Sequence, residues 1–433
     1  MTRSFTSFPL SNFQETKLKM LNWANQFNIC CLLDNHQYNL SHHRYECILA
    51  AGSLRSIKGE AGDSFNQLQK FVDDENDWIF GHLSYDLKNE IESLFSAGHD
   101  GIQFPDLFFF VPEFILQLDE SVLAIGSCDD NHQSIFHQIM DCSSNIHTRS
   151  SLHADVRSRI NRKQYVDAIE RLKIHIRRGD CYEINFCQEF YAEDVSINPI
   201  SIYHSLGAAS PNPYSAFYKL EDKFLLCASP ERYLKKTGLN ILSQPIKGTW
   251  ERNTTNDKED ELNRSLLSTS SKDRSENVMV VDLVRNDLSK VCKEGSVKVD
   301  ELFGVYKFPQ LYQMISTVSG TLNPGISITD IVKATFPMGS MTGAPKKKVM
   351  ELIEQYEVTR RGIFSGTVGY ISPDKDFDFN VVIRSIMYNS SSRYLSFQAG
   401  SGITFYSDPE TEYNECLLKA KAIKKVLEGD QYF

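Results

Sequence analysis

The sequence predicts an α+β fold, in which antiparallel sheets are combined with helices. Many short strand-like runs follow one another in hairpin-like succession, and helical patterns are interspersed among them without the regular alternation of a doubly wound sheet. Of the 433 residues, 41% are hydrophobic and 24% are charged, an ordinary globular composition with enough apolar residues for a large core.

The first part of the chain contains its most apolar run, residues 107–118, which Pro112 and Glu113 interrupt. This run predicts buried strands, because it is far shorter than the roughly 20 residues that span a bilayer. A polar stretch rich in Ser and His follows at 129–161 and predicts a boundary between two regions. We therefore expect an N-terminal region at 1–150 and a second, larger domain at 151–433.

The second part begins with a predicted helix, on which Tyr165, Ile169, Leu172 and Ile176 share one face and which Gly179 ends. Strand-like runs follow at 181–192, 223–230, 239–249, 362–372, 378–389 and 393–405. Further helices are predicted at 275–292, 327–337 and 408–429. The last of these has an acidic start and a basic end, the charge order that a helix dipole favours.

Charge and cysteine content exclude several classes of protein. The net charge of -10 argues against a nucleic-acid partner held by phosphate neutralisation. The ten cysteines form no C-x-x-C pair and no zinc-type cluster, which indicates reduced thiols. The N-terminus has no continuous apolar segment typical of a secretory signal, so we expect a cytoplasmic protein without a membrane partner.

Two pairs of acidic residues are candidates for a metal site. Asp273 and Glu276 lie three residues apart on one predicted helix, and Glu412 and Glu415 have the same spacing on another. Residues three apart share a helical face, so two such pairs facing each other would offer oxygen ligands to a hard cation such as Mg²⁺. Taken by spacing alone, the four residues are more typical of solvated surface acids.

Three charged residues beside strand-like runs are candidates for chemistry. Lys247 stands between an apolar residue and a glycine, and is either a surface lysine at a turn or an amine placed to react. Glu231 and Arg384 lie beside or within apolar segments, where a charge is costly unless it is paired. Arg384 either bridges a structural carboxylate or binds an anionic ligand.

A run of small residues at 336–346 precedes a predicted helix and includes Gly339, Ser340 and Gly343. Exposed backbone N–H groups at a helix start can bind an anion, although the spacing is not that of a Walker A loop. A structural turn explains the run as well as an anion site does.

Together these motifs resemble the chorismate-utilising enzymes, a family that includes the large components of anthranilate synthase and aminodeoxychorismate synthase and the isochorismate and salicylate synthases. The matching segments occur in the family's order and are 179–186, 229–233, 245–249, 273–288, 336–346, 360–370, 379–385 and 399–415. The resemblance covers residues 160–433 strongly, and the segment 81–87 resembles the family's N-terminal motif more loosely. It implies an α+β sandwich with the active site between two antiparallel sheets.

The resemblance also implies a role for each candidate. Glu276 and Glu415 match direct ligands of Mg²⁺, and Asp273 and Glu412 match neighbours that act through water. The metal would hold the ring carboxylate of chorismate. The residues implied to bind the substrate are Arg384 and the backbone near Gly400 and Gly402 for the enolpyruvyl carboxylate, Lys419 near the metal-bound carboxylate, and Gly248 and Thr249 along the ring.

Lys247 and Glu231 are the implied catalytic residues. In the anthranilate-forming branch the position of Lys247 is typically alanine, whereas in the aminodeoxychorismate-forming branch it is lysine. Such a lysine attacks C2 while Glu231, whose pKa burial should raise, protonates the departing 4-hydroxyl. Ammonia then attacks C4 and displaces the lysine. A nucleophilic Lys247 leads us to expect that burial lowers its pKa.

Three departures from the family pattern help to indicate which branch of the family the chain resembles. Isochorismate and salicylate synthases carry a water-activating lysine where Glu183 stands, and the role of this carboxylate stays open. Gln313 replaces a histidine linked to aromatisation, which favours a reaction that stops at the amino-chorismate. Phe364 replaces a common tyrosine and so loses one substrate contact worth ~1 kcal/mol.

The resemblance therefore implies an enzyme of the aminodeoxychorismate-forming branch, acting toward p-aminobenzoate and folate. The alternatives are an anthranilate synthase component I, an isochorismate or salicylate synthase, and a non-catalytic chorismate-binding regulatory protein. No glutaminase motif of the G-x-C-x-G kind is present. Ammonia is thus expected from a separate glutamine amidotransferase subunit or from free ammonium.

Overall fold

The computed structural model describes residues 3–40, 42–145, 154–309 and 311–428. The α-helices are α1 Phe13–Ala24, α2 Ser64–Asp74, α3 Lys88–Glu92, α4 His132–Asp141, α5 Arg162–Arg178, α6 Pro199–Ala209, α7 Asp257–Thr269, α8 Ser271–Ser289, α9 Ile328–Thr335, α10 Lys346–Tyr356 and α11 Pro409–Glu428. None of these described helices is long and apolar enough to cross a bilayer.

The strands pair only with antiparallel neighbours in two large sheets. They are β1 Ser4–Pro9, β2 Ile29–Asp34, β3 Cys47–Ala51, β4 Arg55–Gly59, β5 Ile79–Leu83, β6 Leu107–Val111, β7 Phe114–Leu118, β8 Val122–Ser127, β9 Arg157–Ser158, β10 Glu183–Ala192, β11 Tyr214–Leu220, β12 Lys223–Ser229, β13 Arg232–Thr237, β14 Asn240–Gln244, β15 Ile246–Glu251, β16 Lys298–Lys307, β17 Leu311–Thr321, β18 Gly343–Ala344, β19 Thr367–Ile371, β20 Phe377–Asn380, β21 Ser385–Asn389 and β22 Tyr394–Thr404.

The first sheet has 12 strands in the order β1-β8-β7-β3-β2-β11-β12-β21-β22-β10-β18, with β9 beside β10. The second sheet has 10 strands in the order β15-β17-β14-β13-β20-β19-β5-β6-β4, with β16 beside β17. Strands that are consecutive in sequence often pair, which is what the hairpin-like succession of strand patterns predicted. The predicted α+β class is confirmed.

Both sheets combine strands from either side of residue 150. Strands β1, β2, β3, β7 and β8 belong to the first sheet, and β4, β5 and β6 belong to the second. The predicted boundary itself falls within 146–153, which lies outside the described residues. The division into 1–150 and 151–433 therefore stays a prediction about the sequence.

Two large hydrophobic cores and one small cluster around Leu267 hold the described sheets and helices together. One large core contains strand residues from both sheets, such as Leu225 and Leu234, together with apolar residues of α2, α8 and α9. The other large core packs α1, α4, α5, α6 and α11 against the first sheet, with Phe186 and Phe397 at its centre. The helical face predicted around Ile169 lies in this second core.

Local sequence explains where several elements begin and end. Asn161 and Gln164 form a reciprocal capping box at the start of α5, and Gly179 ends the helix at φ 83°. The predicted strand at 239–249 is divided into β14 and β15 at Pro245, which has no backbone N–H to donate to a neighbour.

The predicted strand at 378–389 is also divided, and here the prediction of one continuous strand was wrong. Its first half is β20 of the second sheet, and its second half is β21 of the first sheet. The chain leaves one sheet and enters the other across residues 381–384, where Arg384 has a positive φ of 53°. An apolar run alone cannot reveal such a crossing, because both halves are buried strands.

Candidate active site

Lys247 and Glu183 meet where the two sheets face each other. Lys247 lies on β15 of the second sheet, and Glu183 is the first residue of β10 in the first sheet. The Lys247 Nζ donates a hydrogen bond to Glu183 Oε1. Their side chains are only 12% and 2% exposed. Lys247 is thus a buried, ion-paired amine, and the surface-turn interpretation is excluded.

Gly402 provides the space for this ion pair. It lies on β22, opposite Asn185 of β10. A Cβ atom at this position would come within 2.8 Å of both Glu183 Oε1 and Lys247 Nζ. The absence of a side chain at Gly402 therefore lets the two charged groups reach each other across the gap between the sheets.

The pKa of Lys247 is raised in this structure, so the expected lowering was wrong. Burial acts to lower the pKa, but the carboxylates of Glu183, Glu276 and Glu415 together act more strongly in the opposite direction. The sequence showed the apolar surroundings of Lys247. It did not show that three acidic side chains from other elements surround the same amine.

Glu231 lies between β12 and β13, where the chain passes from the first sheet to the second. It is only 3% exposed, and its backbone N–H donates to the Ser229 hydroxyl at 3.2 Å. Burial raises the pKa of Glu231 to about 7, against the opposing effects of the Ser340 side chain, the Ile246 backbone and, least of the three, the Lys247 charge. This carboxyl can retain a proton near neutral pH, as expected from the sequence.

The predicted carboxylate pairs on α8 and α11 do face each other, and a lysine lies between them. The Lys272 Nζ is 3.3 Å from Glu412 Oε1, 3.8 Å from Glu415 Oε2 and 3.9 Å from Glu276 Oε1. The sequence analysis did not identify Lys272. Its position four residues before Glu276, and so on the same helical face, was the available signal.

Two of these carboxylates keep unused acceptors. Glu276 Oε1 and Glu412 Oε2 are buried and have no hydrogen-bond partner among the described residues. Burial raises the pKa of Glu276 to about 7. An unsatisfied buried acceptor costs free energy, so a cluster of them is typical of a ligand site.

Glu415 differs from Glu276 because it has a close cation on its own helix. Lys419 Nζ lies 2.7 Å from Glu415 Oε1 and donates to the Gly400 carbonyl oxygen at 2.9 Å. The Lys419 ammonium lowers the pKa of Glu415 to about 2. Lys419 therefore links the carboxylate cluster on α11 to the β22 strand that carries Gly400.

Asp273 lies at the edge of this cluster, against the turn after Lys247. It accepts a hydrogen bond from the Trp250 indole N–H at 3.4 Å. Gly248 has a positive φ of 93°, and a Cβ there would lie 3.0 Å from the Asp273 Cβ. Glycine at 248 thus satisfies both the backbone conformation and the close approach of α8.

Arg384 has no carboxylate partner among the described residues. It is half-buried and adopts a left-handed backbone conformation just before β21. Burial lowers its pKa, and Glu415 acts on it only at a distance. Of the two interpretations of Arg384, the structural ion pair is excluded, and an anion-binding role remains a prediction.

The remaining candidates lie on or near the same sheets. Gln313 of β17 pairs in register with Thr249 of β15. Gln313 is 3% exposed, and its Oε1 atom is another buried acceptor without a partner in the described chain. Phe364 is buried in the core that contains residues of both sheets. Their contacts with substrate stay predictions.

The 336–346 segment has a structural explanation. Gly343 belongs to β18, which pairs with the start of β10. A Cβ atom at Gly343 would lie 2.0 Å from the Glu183 carbonyl oxygen, so only glycine allows this pairing. The turn interpretation accounts for the glycine, and anion binding by this segment stays a prediction.

The carboxylates of α8 and α11 have the oxygen donors that a hard cation prefers, but they are not already arranged as a metal site. In the described ranges, no group of three or more His, Cys, Asp or Glu side chains is gathered closely enough to hold a metal ion. The unused oxygens of Glu276 and Glu412, and the position of the Lys272 cation among three carboxylates, nevertheless fit an oxygen-liganded divalent ion.

Comparison with known proteins supplies the family. Residues 29–425 match the family described as chorismate binding enzyme. A protein of Oryza sativa subsp. japonica named probable aminodeoxychorismate synthase, chloroplastic, is 35% identical over 80% of this chain and 43% of its own length. The chain thus spans less than half of that relative.

Two further comparisons cover more of the related chain. Aminodeoxychorismate synthase component 1 of Bacillus subtilis is 33% identical over 80% of this chain and 76% of its own length. The crystal structure of anthranilate synthase component I from Streptococcus pneumoniae superposes with a TM-score of 0.77 at 26% identity, covering 89% of this chain and 94% of that one.

Proposed function

Because this chain belongs to the chorismate-binding enzyme family, we propose that it is the synthase component of an aminodeoxychorismate synthase. The reaction replaces the 4-hydroxyl of chorismate with an amino group and yields 4-amino-4-deoxychorismate, a precursor for p-aminobenzoate and folate. The buried Lys247, in contact with Glu183 and near Glu231, whose pKa burial raises to about 7, is the observation that carries the proposal. The names of the rice and Bacillus subtilis relatives support it.

Lys247 and Glu231 carry the first step. The Lys247 amine forms a bond to C2, and the two ring double bonds each shift by one position towards C4. The C4–oxygen bond breaks, and Glu231 gives its proton to the departing hydroxyl, which leaves as water. Burial of Glu231 keeps this proton available near neutral pH.

Ammonia completes the reaction in the second step. Its nitrogen bonds to C4, the double bonds shift back, and the C2–nitrogen bond breaks with its electron pair returning to Lys247. The new ammonium at C4 returns a proton to Glu231. The net change is chorismate plus ammonia to aminodeoxychorismate plus water, and both side chains end as they began.

Anion-binding groups surround the place where the ring would lie. Arg384 would hold the enolpyruvyl carboxylate, because its guanidinium has no carboxylate partner in the described chain. Backbone N–H groups near Gly400 and Gly402 would assist, and Lys419 would lie beside the ring carboxylate. Gly248, Thr249 and Gln313 would line the ring.

Magnesium is proposed as the cofactor. Glu276 and Glu415 would bind it directly, and Asp273 and Glu412 would assist through water. The bound cation would neutralise and orient the ring carboxylate of chorismate. Lys272, whose ammonium lies among the same carboxylates, would have to move aside.

We expect magnesium to stabilise the protein against heat. A ligand present at 100 times its Kd contributes about 2.7 kcal/mol. Calorimetry with and without MgCl₂ should show a higher Tm for the wild type and no change for Glu276→Gln. Glu261→Gln, an exposed glutamate on α7, should respond like the wild type. An equal rise in Glu276→Gln would contradict this ligand assignment without bearing on Lys247.

The ammonia source is proposed to be a separate glutamine amidotransferase subunit. The chain has no glutaminase motif, and the Bacillus subtilis relative is named as a component 1. The purified chain should therefore turn over chorismate with ammonium but not with glutamine. Turnover with glutamine alone would contradict the need for a partner.

The alternative with most support is an anthranilate synthase component I, the activity of the Streptococcus pneumoniae protein whose structure is similar. Product analysis separates the two. Purified protein is incubated with chorismate, MgCl₂ and ammonium at mildly alkaline pH, and the products are separated by chromatography. We expect a non-fluorescent amino-chorismate that added lyase converts to p-aminobenzoate. Fluorescent anthranilate or salicylate would place the chain in a sister branch, and no turnover would favour a regulatory protein.

A further inference from the structure

We propose that Glu183 is the catalytic base that takes a proton from the Lys247 ammonium before the attack on C2 and returns it when the lysine departs. The inference rests on the function proposed above and assigns a role to a residue that the family pattern left open. Glu183 is the group in direct contact with the nitrogen that reacts. Its assignment would explain why a carboxylate stands in this position.

The protonation state of Lys247 creates the need for such a base. In the resting protein the surrounding carboxylates favour the ammonium form, which has no free electron pair for an attack on carbon. Four acidic groups face this amine from four places in the fold. They are Glu183 on β10, Glu276 on α8, Glu415 on α11 and Glu231 after β12.

Three of these four groups are engaged in other tasks. Glu276 and Glu415 would be occupied by the cation, and Glu231 must hold its own proton for the leaving hydroxyl. Among the acidic residues in the described part of the chain, Glu183 is the one within hydrogen-bond distance of Lys247 Nζ, and it has no other assignment. Its second oxygen, Oε2, is buried and has no hydrogen-bond partner among the described residues. Glu183 thus has free capacity to accept a proton.

The surrounding backbone holds Glu183 in place. The residue opens β10, whose backbone pairs with both β18 and β22 at this point. Gly402 and Gly343 permit the close approach of these neighbours to Glu183. The carboxylate therefore stands on a strand that is paired on both sides, with one oxygen at the amine and the other without a hydrogen-bond partner among the described residues.

The proton balance of both steps closes with Glu183 included. The Lys247 ammonium gives one proton to Glu183, and the resulting amine keeps two hydrogens and becomes positively charged when it bonds to C2. When ammonia bonds to C4, the C2–nitrogen bond breaks and the neutral amine leaves. Glu183 then returns its proton, and the original ion pair is restored.

The test compares Glu183→Gln with the wild type in two measurements. The first is the rate at which the Lys247 adduct forms in a single turnover without ammonia, followed by intact-protein mass spectrometry. The second is the pH dependence of Lys247 acetylation by a trace of acetic anhydride, without chorismate. Glu189→Gln is the matched control, because Glu189 is also a buried glutamate of β10 that pairs with a cation, Arg159, at 2.8 Å.

We expect Glu183→Gln to make Lys247 easier to acetylate but slower to form the adduct with chorismate. Removal of the Glu183 charge should lower the pKa of Lys247, so that acetylation begins at a lower pH. Adduct formation should nevertheless slow by about 10²-fold, because the base is lost. Glu189→Gln should change neither measurement. Glu183→Asp should recover part of the rate.

A purely structural or electrostatic role for Glu183 predicts a different result. With more neutral amine available, Glu183→Gln would then form the adduct as fast as the wild type or faster, and this outcome would overturn the proposal. If the wild type forms aminodeoxychorismate and Glu183→Gln forms the adduct at an undiminished rate, only the role of Glu183 is refuted, and the proposed function stands. A wild-type protein that forms aminodeoxychorismate but no Lys247 adduct refutes covalent catalysis by Lys247 and this inference with it. A wild-type protein that forms no aminodeoxychorismate refutes the proposed function.

Discussion

Lys247→Ala should abolish aminodeoxychorismate formation, with a loss of kcat of at least about 10³-fold, as expected for removal of a nucleophile. The Lys247 amine reaches from the second sheet to Glu183 of the first sheet, whereas the amines of Lys272 and Lys419 belong to helices and lie against the carboxylates proposed to hold the cation. The measurement is product formation from chorismate and ammonium by chromatography. Intact-protein mass spectrometry should also show that the adduct is absent from the variant.

Loss of the lysine also leaves Glu183 buried without its cation, which can destabilise the fold by about 3–5 kcal/mol. Lys247→Arg separates chemistry from stability, because it keeps the positive charge next to Glu183 but supplies no nucleophilic amine. Lys235→Arg is the matched control, since Lys235 is a buried lysine of β13 in the same sheet. Lys247→Arg that folds and retains near-wild-type turnover would contradict covalent catalysis by Lys247.

Glu231→Gln should slow adduct formation by about 10²- to 10⁴-fold, because the 4-hydroxyl then leaves without a proton donor. Glutamine preserves the shape of the side chain, so binding of chorismate should change much less than kcat. The measurement is the single-turnover rate without ammonia, which isolates the step in which the C4–oxygen bond breaks. Glu357→Gln is the control, since Glu357 is a buried glutamate whose pKa burial also raises.

The pH dependence gives a second test of Glu231. With a pKa of about 7, Glu231 is protonated and competent below this pH and loses its proton above it. The wild-type rate of adduct formation should therefore decline on the alkaline side, and this decline should be absent from Glu231→Gln. A Glu231→Gln variant with the wild-type rate and the same alkaline decline would exclude Glu231 as the acid.

The free energy of unfolding should also depend on the ionisation of Glu231. The folded pKa of Glu231 is raised above its usual value of 4.5, so its stabilising contribution is complete below that value. This contribution is lost as the pH rises through about 7, because the buried carboxyl must then become charged. Denaturant unfolding of Glu231→Gln should show less loss of free energy between these two pH values than the wild type does.

Much of the site was predictable because its residues carry their own signals. The spacing of Glu276, Glu412 and Glu415 placed carboxylates on helical faces, and the structure brings those faces together. Arg384 in an apolar run signalled a charge that needs a partner. The alternation and length of the runs predicted the strands and the α+β class, because these patterns reflect local geometry.

Other features depended on contacts between residues far apart in sequence. The ion pair of Lys247 with Glu183 joins residues from two sheets, and the sequence around either residue does not predict this contact. The sign of the Lys247 pKa shift was mispredicted for that reason, since burial can be inferred from neighbours in sequence but surrounding charges cannot. Lys272 acquired its place among the carboxylates only when α8 and α11 packed together.

The class of fold, most of the helices and strands, and the chemical identity of the acid, the amine and the carboxylate pairs were predictable from the residues alone. These properties follow from residue type and from periodicity along a single element. The tertiary structure alone decided which charges face one another, which acceptors lack a partner, and that the chain crosses between sheets at Arg384. Electrostatic and packing interactions act through space, between elements that are distant in sequence: Glu183 and Lys247 are 64 residues apart, and Lys272 and Glu412 are 140 residues apart.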